Sequence, residues 1–250
     1  MPNTLLDGTK AIVTGASRGF GLAVARELLH AGAHVVGVAR SESALRDLRD
    51  EHGDTFDFEV ADAADPSLPD RLLVRHRPQI VILNAGATPV VRPIQEQTWE
   101  TFSTNWHTDV RQAFNFARAS LSLPLEPGST VVTISSGAAL RGSPLSGGYA
   151  GGKATVRFIS AYAGAEATLR SLGLRFVALL PQLTPATDLG AAGVAGYAER
   201  AGLSIEAYQD QLGPVLTTEH FAKTVGDVVI DDSYSAAAYL LTATDLRPLD

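Results

Sequence analysis

The stretch that most constrains the fold is an apolar run, a glycine-rich turn and a helical period, in that order. Lys10-Ala11-Ile12-Val13 is short, apolar and β-branched, which reads as a buried strand. Thr14-Gly15-Ala16-Ser17-Arg18-Gly19-Phe20-Gly21 follows directly, and Leu22 to Leu29 then carries apolar residues at helical spacing. Glycines let a backbone pass close to a phosphate, and a helix N-terminus offers free N–H groups and the positive end of its dipole. Strand, glycine turn and helix in this order are the context of a dinucleotide-binding turn. Gly15, Ser17, Arg18, Gly19, Phe20 and Gly21 are therefore candidate cofactor contacts. The spacing is G-x-x-x-G-x-G rather than G-x-G-x-x-G.

The alternation continues along the chain. His34 to Ala39 reads as a second strand ending at Arg40, and Ser41 as the N-cap of a short helix. In this architecture the end of the second strand meets the adenosine ribose. A carboxylate there would accept from the ribose 2′-hydroxyl and repel a 2′-phosphate; an arginine does the opposite. Arg40, with Arg18 in the turn, favours NADP(H) over NAD(H). Thr55 to Val60 alternates as a third strand. Asp62 just beyond it could accept from an adenine amino group, or could be a turn residue in Asp-Ala-Ala-Asp-Pro. Gln79 to Leu83 is a fourth strand, followed by Asn84-Ala85-Gly86, where glycine allows close approach to a cofactor and the amide can tie strand ends together. Gln97 to Leu121 reads as one long helix with Asn105 inside it, a slightly unfavourable place for an amide.

Thr130 to Ser135 reads as a fifth strand, and the chemistry gathers after it. Tyr149 and Lys153 are four residues apart on a predicted helix, which puts them on one face. A fixed ammonium beside a phenol stabilises the phenolate, so such a tyrosine can give a proton to a carbonyl oxygen or take one from an alcohol. Ser136 lies thirteen residues before Tyr149, at a strand end where open α/β sheets hold ligands. Ser135 is its rival; neighbouring strand residues face opposite ways, so one of the two can serve. Leu174 to Leu180 is a sixth strand, Pro181 to Pro214 the least regular stretch, a covering segment with short helices expected around Gly193 to Arg200 and Ser204 to Gln211, Thr218 the cap of a helix, and Tyr234 to Leu241 a last strand. The expected architecture is a doubly wound, mostly parallel, seven-stranded α/β sheet in one domain over residues 1–250, with 182–214 covering substrate.

Apolar residues at 45% and charged residues at 19% suit a sizeable core. The net charge of −7 argues against a nucleic-acid surface and an anionic membrane patch. The absence of cysteine excludes a disulfide framework, a thiolate nucleophile and a thiolate metal site, and no metal is expected. A polar start and the lack of a membrane-length apolar run predict a soluble cytoplasmic protein.

Taken together, Thr14-Gly15-(three residues)-Gly19-Phe20-Gly21, Asn84-Ala85-Gly86, Asn105, Ser136 and Tyr149-(three residues)-Lys153 resemble, in order and spacing, the short-chain dehydrogenase/reductase family, in its short single-domain branch. The resemblance covers nearly the whole chain. It implies Tyr149 as general acid/base, and Lys153 as the group that tunes Tyr149 and binds the nicotinamide ribose. It further implies Ser136 as the holder of the substrate oxygen, and Asn105 as the anchor of a water that relays protons to Lys153. Its thirteen-residue spacing selects Ser136. It also implies dimers or tetramers through the helices flanking the fifth strand. There are departures. Pro181-Gln182 stands where the family has Pro-Gly lining the nicotinamide, and the threonine that meets the carboxamide is Thr184 or Thr187, with Thr184 favoured. Leu83 replaces the first Asn of Asn-Asn-Ala-Gly. Gly147, Gly148, Gly151 and Gly152 crowd Tyr149, either to pack against cofactor or substrate or to leave the helix start mobile.

The expected function is NADP(H)-dependent hydride transfer to a small carbonyl, or from an alcohol. The alternatives are an NAD(H) enzyme and a cofactor-binding regulatory or scaffold protein with weak catalysis. Candidate substrate contacts are Arg141, Ser143, Leu145, Gln182, Leu183, Leu189 and Tyr197, which select no substrate class.

Overall fold

In the computed structural model, which describes residues 5–123 and 125–249, the strands form one eight-stranded sheet in the order β3-β2-β1-β4-β5-β6-β7-β8. The strands are β1 (Lys10–Thr14), β2 (His34–Ala39), β3 (Phe56–Val60), β4 (Ile80–Leu83), β5 (Thr130–Ile134), β6 (Arg175–Pro181), β7 (Ala238–Leu241) and β8 (Leu246–Leu249). The first seven run parallel, and β8 returns antiparallel beside β7. The order reverses between β1 and β4, so their C-terminal ends open a crevice there.

Both faces of the sheet are covered, which is why the strands read as continuous apolar runs. Alternate residues go to opposite sides. Val35, Ile80 and Ile82 join one core, against Val24 and Leu28 of α1 (Gly19–His30), Leu45 and Leu48 of α2 (Glu42–His52), and Phe221 and Val225 of α10 (Thr218–Ile230). Val36, Val81 and Leu83 join the other. Their partners are Leu68 and Leu72 of α3 (Leu68–His76), Phe116 of α5 (Arg111–Ser122), and Ala163 and Ala167 of α7 (Gly147–Leu169).

Four expectations need correction. The sheet has eight strands rather than seven, because Leu246-Arg247-Pro248-Leu249 forms a short edge strand that its proline and arginine disguise. The last parallel strand begins at Ala238 rather than Tyr234. The helix expected over 97–121 is divided. α4 (Trp99–Asn105) passes into a π-helical turn, Trp106–Val110, before α5. The cap of α10 is Thr217, whose hydroxyl accepts from His220 N at 3.1 Å, and not Thr218. The helices expected in the segment after β6 are present as α8 (Asp188–Ala201), longer than expected, and α9 (Ile205–Leu212), while α6 (Ala138–Arg141) is a single turn after β5.

Candidate active site

The crevice between β1 and β4 is built by side chains that lock two strand ends together. Thr14 Oγ1 accepts from Asn84 N at 2.9 Å and Ala85 N at 3.1 Å, and donates to Ile82 O. Asn84 Nδ2 reaches back to Thr14 O at 3.2 Å. The glycine turn is pressed against this lock. Gly15 has a φ of +70°, and a Cβ there would lie 2.8 Å from Asn84 Nδ2. A Cβ on Gly21 would lie 2.1 Å from Gly15 O. No side chain caps the start of α1, and no acidic residue occupies its first turn. Its first N–H groups are thus left to an incoming anion, and Ser17 adjoins them in the turn. The cradle fits a dinucleotide pyrophosphate.

The flanks of the cradle are more mixed. Arg40 is exposed at the end of β2. Arg18 is exposed as well, and its Nη1 contacts Asp188 Oδ2 at 3.1 Å, bringing the start of α8 over the glycine turn. Asp62 Oδ1 accepts from Ala64 N at 2.9 Å, the turn role anticipated as one of its two readings. Phe20 stacks on Phe221 with ring centres 3.9 Å apart and lines the adjoining cavity.

That cavity, of about 590 Å³, lies at the C-terminal ends of β5 and β6 and is walled by α6, α8 and α9. Ser136 and Tyr149 both line it, with Gln182, Leu183 and Tyr197 opposite. Ser135 faces away and donates to Lys153 O at 2.7 Å, stitching β5 to α7. Ser143 and Leu145 do not line the cavity. Ser143 stands behind, hydrogen-bonded to the Tyr197 hydroxyl, and Leu145 is buried. Pro181 O accepts from Gly137 N at 2.9 Å. The Gln182 side chain donates to Pro214 O at 2.9 Å and so ties the covering segment down. Thr184 Oγ1 spends its proton on Leu216 O at 2.6 Å. Thr187 Oγ1 accepts from Gly190 N as the cap of α8, so its own proton is available.

Beneath Tyr149 lies the ammonium of Lys153, 5.7 Å from the centre of the phenol ring and buried. Its Nζ donates to Ile134 O at 2.9 Å and lies 3.0 Å from Asp109 Oδ2. Burial by itself would push Lys153 down; the Asp109 carboxylate, followed by Tyr149, offsets this and together they hold it above the ordinary lysine value. Asp109 Oδ1 accepts from Ala87 N at 2.9 Å and from Asn105 Nδ2 at 3.3 Å, and Asn105 also donates to Ala87 O at 2.7 Å. Asn105 therefore connects to Lys153 through Asp109. A Cβ on Gly86 would fall 2.8 Å from Asp109 Oδ2, which explains that glycine by close approach to a carboxylate.

Asp109 went unnoticed in the sequence, where one acidic residue in an amphipathic helix looks solvent-facing. The signal available was its four-residue spacing from Asn105. The glycines around Tyr149 also have a plain structural reason. A Cβ on Gly148 would lie 1.9 Å from Phe102 O, and Gly147, Gly151 and Gly152 face Phe102, Trp106 and Asn105. They let α7 cross α4 and the π turn closely.

A family model described as short chain dehydrogenase matches residues 9–195. The chain belongs to the short-chain dehydrogenase/reductase family. It is similar to a 3-oxoacyl-[acyl-carrier-protein] reductase of Chlamydia muridarum, at 30% identity over 166 residues, 62% of this chain and 66% of that one. A hydroxynaphthalene reductase-like protein of Metarhizium brunneum is 33% identical over 69% of this chain and 68% of its own. A versicolorin reductase of Emericella nidulans is 32% identical over 62% and 61% respectively. The chain thus spans roughly two thirds of the length of these relatives. Among the described residues, no helix is long and apolar enough to cross a membrane.

Proposed function

We propose that this protein is an NADP(H)-dependent oxidoreductase acting on carbonyl compounds and the corresponding alcohols. The observation that carries the reading is the convergence of Ser136 and Tyr149 on one cavity, with Lys153 fixed beneath the phenol. A nicotinamide bound in the crevice supplies or accepts the hydride at the substrate carbon. In reduction, the Ser136 hydroxyl donates a hydrogen bond to the carbonyl oxygen, and Tyr149 gives that oxygen its phenolic proton. The carbon gains the hydride, the C=O π bond becomes an O–H, and the phenolate left behind is steadied by Lys153. Oxidation runs these steps backwards, with the phenolate as base. Arg40 and Arg18, without a carboxylate at the end of β2, support NADP(H), and the Thr187 hydroxyl is the better donor to the carboxamide.

The walls favour a substrate carrying an anionic group. The cavity lining contains no Asp or Glu in a chain of net charge −7, yet it includes Arg141 and Arg247. Arg247 pairs with Leu240 across β7 and β8, so both side chains share the face that lines the cavity. It lies six strands from β2, roughly 29 Å at ~4.8 Å per strand, too far to serve an adenosine 2′-phosphate there.

The helices flanking β5 also expose Phe114, Phe158 and Tyr162, which supports a homo-oligomer of dimer or tetramer size. The test of cofactor class is fluorescence titration with NADPH and with NADH. Saturable NADPH binding with much weaker NADH binding is expected. A preference for NADH removes the arginine argument, and binding of neither by folded protein removes the cofactor reading. Turnover of oxo acids above their methyl esters, reduced in R141Q and R247Q, is the expected sign of an anionic substrate; equal turnover counts against it.

A further inference from the structure

We propose that Asp109 is a positioning residue, which fixes the Lys153 ammonium beneath Tyr149 and ties it to the backbone turn at the cofactor crevice. This rests on the reading of Tyr149 and Lys153 as the acid/base pair. Three distances carry it. One carboxylate oxygen stands 3.0 Å from Lys153 Nζ, and the other accepts from Ala87 N at 2.9 Å and from Asn105 Nδ2 at 3.3 Å. The first oxygen meets no other donor, so the ammonium is its sole polar neighbour among the described residues. Asp109 is itself buried, and a buried carboxylate stripped of water is retained only where a cation answers it.

The π turn puts it there. A wider helical turn between α4 and α5 shifts the side chains that follow around the axis. Asp109 consequently points inward, although Trp106 and His107 in the same turn are exposed. The carboxylate then serves two masters at once: the turn Asn84 to Ala87, which borders the crevice, and the ammonium under the phenol. Movement of that turn is thereby coupled to the position of Lys153.

The charges facing Lys153 are few. Asp109 acts from the π turn, and Tyr149 from its own helix. The other ionisable side chains on the elements packed around its end of α7 are Glu100, His107, Arg111 and Arg118 along α4 to α5, and Arg141 on α6; all are exposed. With Asp109 removed, burial is opposed by Tyr149 alone, and the ammonium loses protonation at a lower pH.

The chain has three lysines, Lys10, Lys153 and Lys223, so side-chain NMR can follow each one. In the native protein, Lys153 is expected to titrate above the ordinary lysine value of 10.5. Titration of Lys153 below that value would overturn the proposal, and this measurement needs no variant. D109N can keep an oxygen for Ala87 N; its amide NH2 then faces Lys153 Nζ, so the variant removes both the charge and the acceptor that answer the ammonium. In D109N, Lys153 is expected to titrate at least about one pH unit lower than in the parent, a tenfold change in its protonation equilibrium. The alkaline rise of the alcohol-oxidation rate is expected to move to higher pH. An unmoved lysine titration, or a rate profile unmoved or moved to lower pH, would reduce Asp109 to a backbone clamp. NADPH titration of the same variant separates this failure from failure of the cofactor reading.

Discussion

Tyr149 is half-buried, shares its cavity with Ser136 and has a cation 5.7 Å from its ring centre. Removing only its hydroxyl tests the chemistry without emptying the space. Tyr149→Phe is expected to bind NADPH within a few-fold of the parent and to lose about 10²- to 10⁴-fold in turnover. Turnover close to the parent would remove Tyr149 from the proton path. The Lys153–Asp109 pair carries a second prediction, in stability. The folded-state value of Lys153 lies above its ordinary 10.5, so the pair's contribution is present in full below about pH 10.5 and is lost as pH rises through the folded value. Urea midpoints followed past that pH should fall in the parent. In a Lys153→Met/Asp109→Leu double variant that particular fall should be absent. The residues with familiar spacing, Ser136, Tyr149 and Lys153, were legible in the sequence because four-residue and strand-end relations are local. Asp109 was not, because its partners are brought to it by a helical irregularity that the apolar repeat of 97–121 conceals.

Among the elements, α7 crosses α4 in close contact near the site. The four glycines at the start of α7 are not equivalent. Gly148→Ala puts a methyl 1.9 Å from a backbone oxygen of α4, which cannot be relieved by a rotamer change. A loss of about 3 kcal/mol or more is expected in denaturant unfolding, at the upper end of overpacking costs. Gly151→Ala meets Trp106 at 3.7 Å, an ordinary contact, and should be neutral or gain up to about 1 kcal/mol from helix propensity. Equal destabilisation by both would mean that the glycines serve backbone freedom rather than the crossing. The sequence pointed to the cluster and suggested a ligand or mobility as its reason. The actual neighbour is another helix, which no local pattern can reveal. The parallel strands were readable because burial on both faces leaves nearly unbroken apolar runs; β8, with two of its four residues Arg and Pro, leaves none.

For the whole molecule, the exposed aromatic stripe is the feature that a lone chain leaves unexplained. Phe158 and Tyr162 stack with ring centres 6.0 Å apart and stand open to solvent, as does Phe114 on the neighbouring helix. A second copy of the chain is the proposed cover. Light scattering with size exclusion should give twice or four times the 26.3 kDa chain mass, and Phe158→Glu with Phe114→Glu should return the monomer. A monomer at micromolar concentration in the parent would leave the stripe without this role.

The open sheet has one more consequence, for how the protein survives at high concentration. A sheet of eight strands ends in two edges, and an unprotected edge invites strands from other molecules to extend it. At one end, β3 carries Asp57 and Glu59. At the other, β8 carries Arg247 and Pro248, and proline takes one backbone donor out of a four-residue strand. The same short strand that brings an arginine to the cavity wall thus closes the sheet to intermolecular growth, and a β-branched residue at 248 would open a path to fibrillar aggregation.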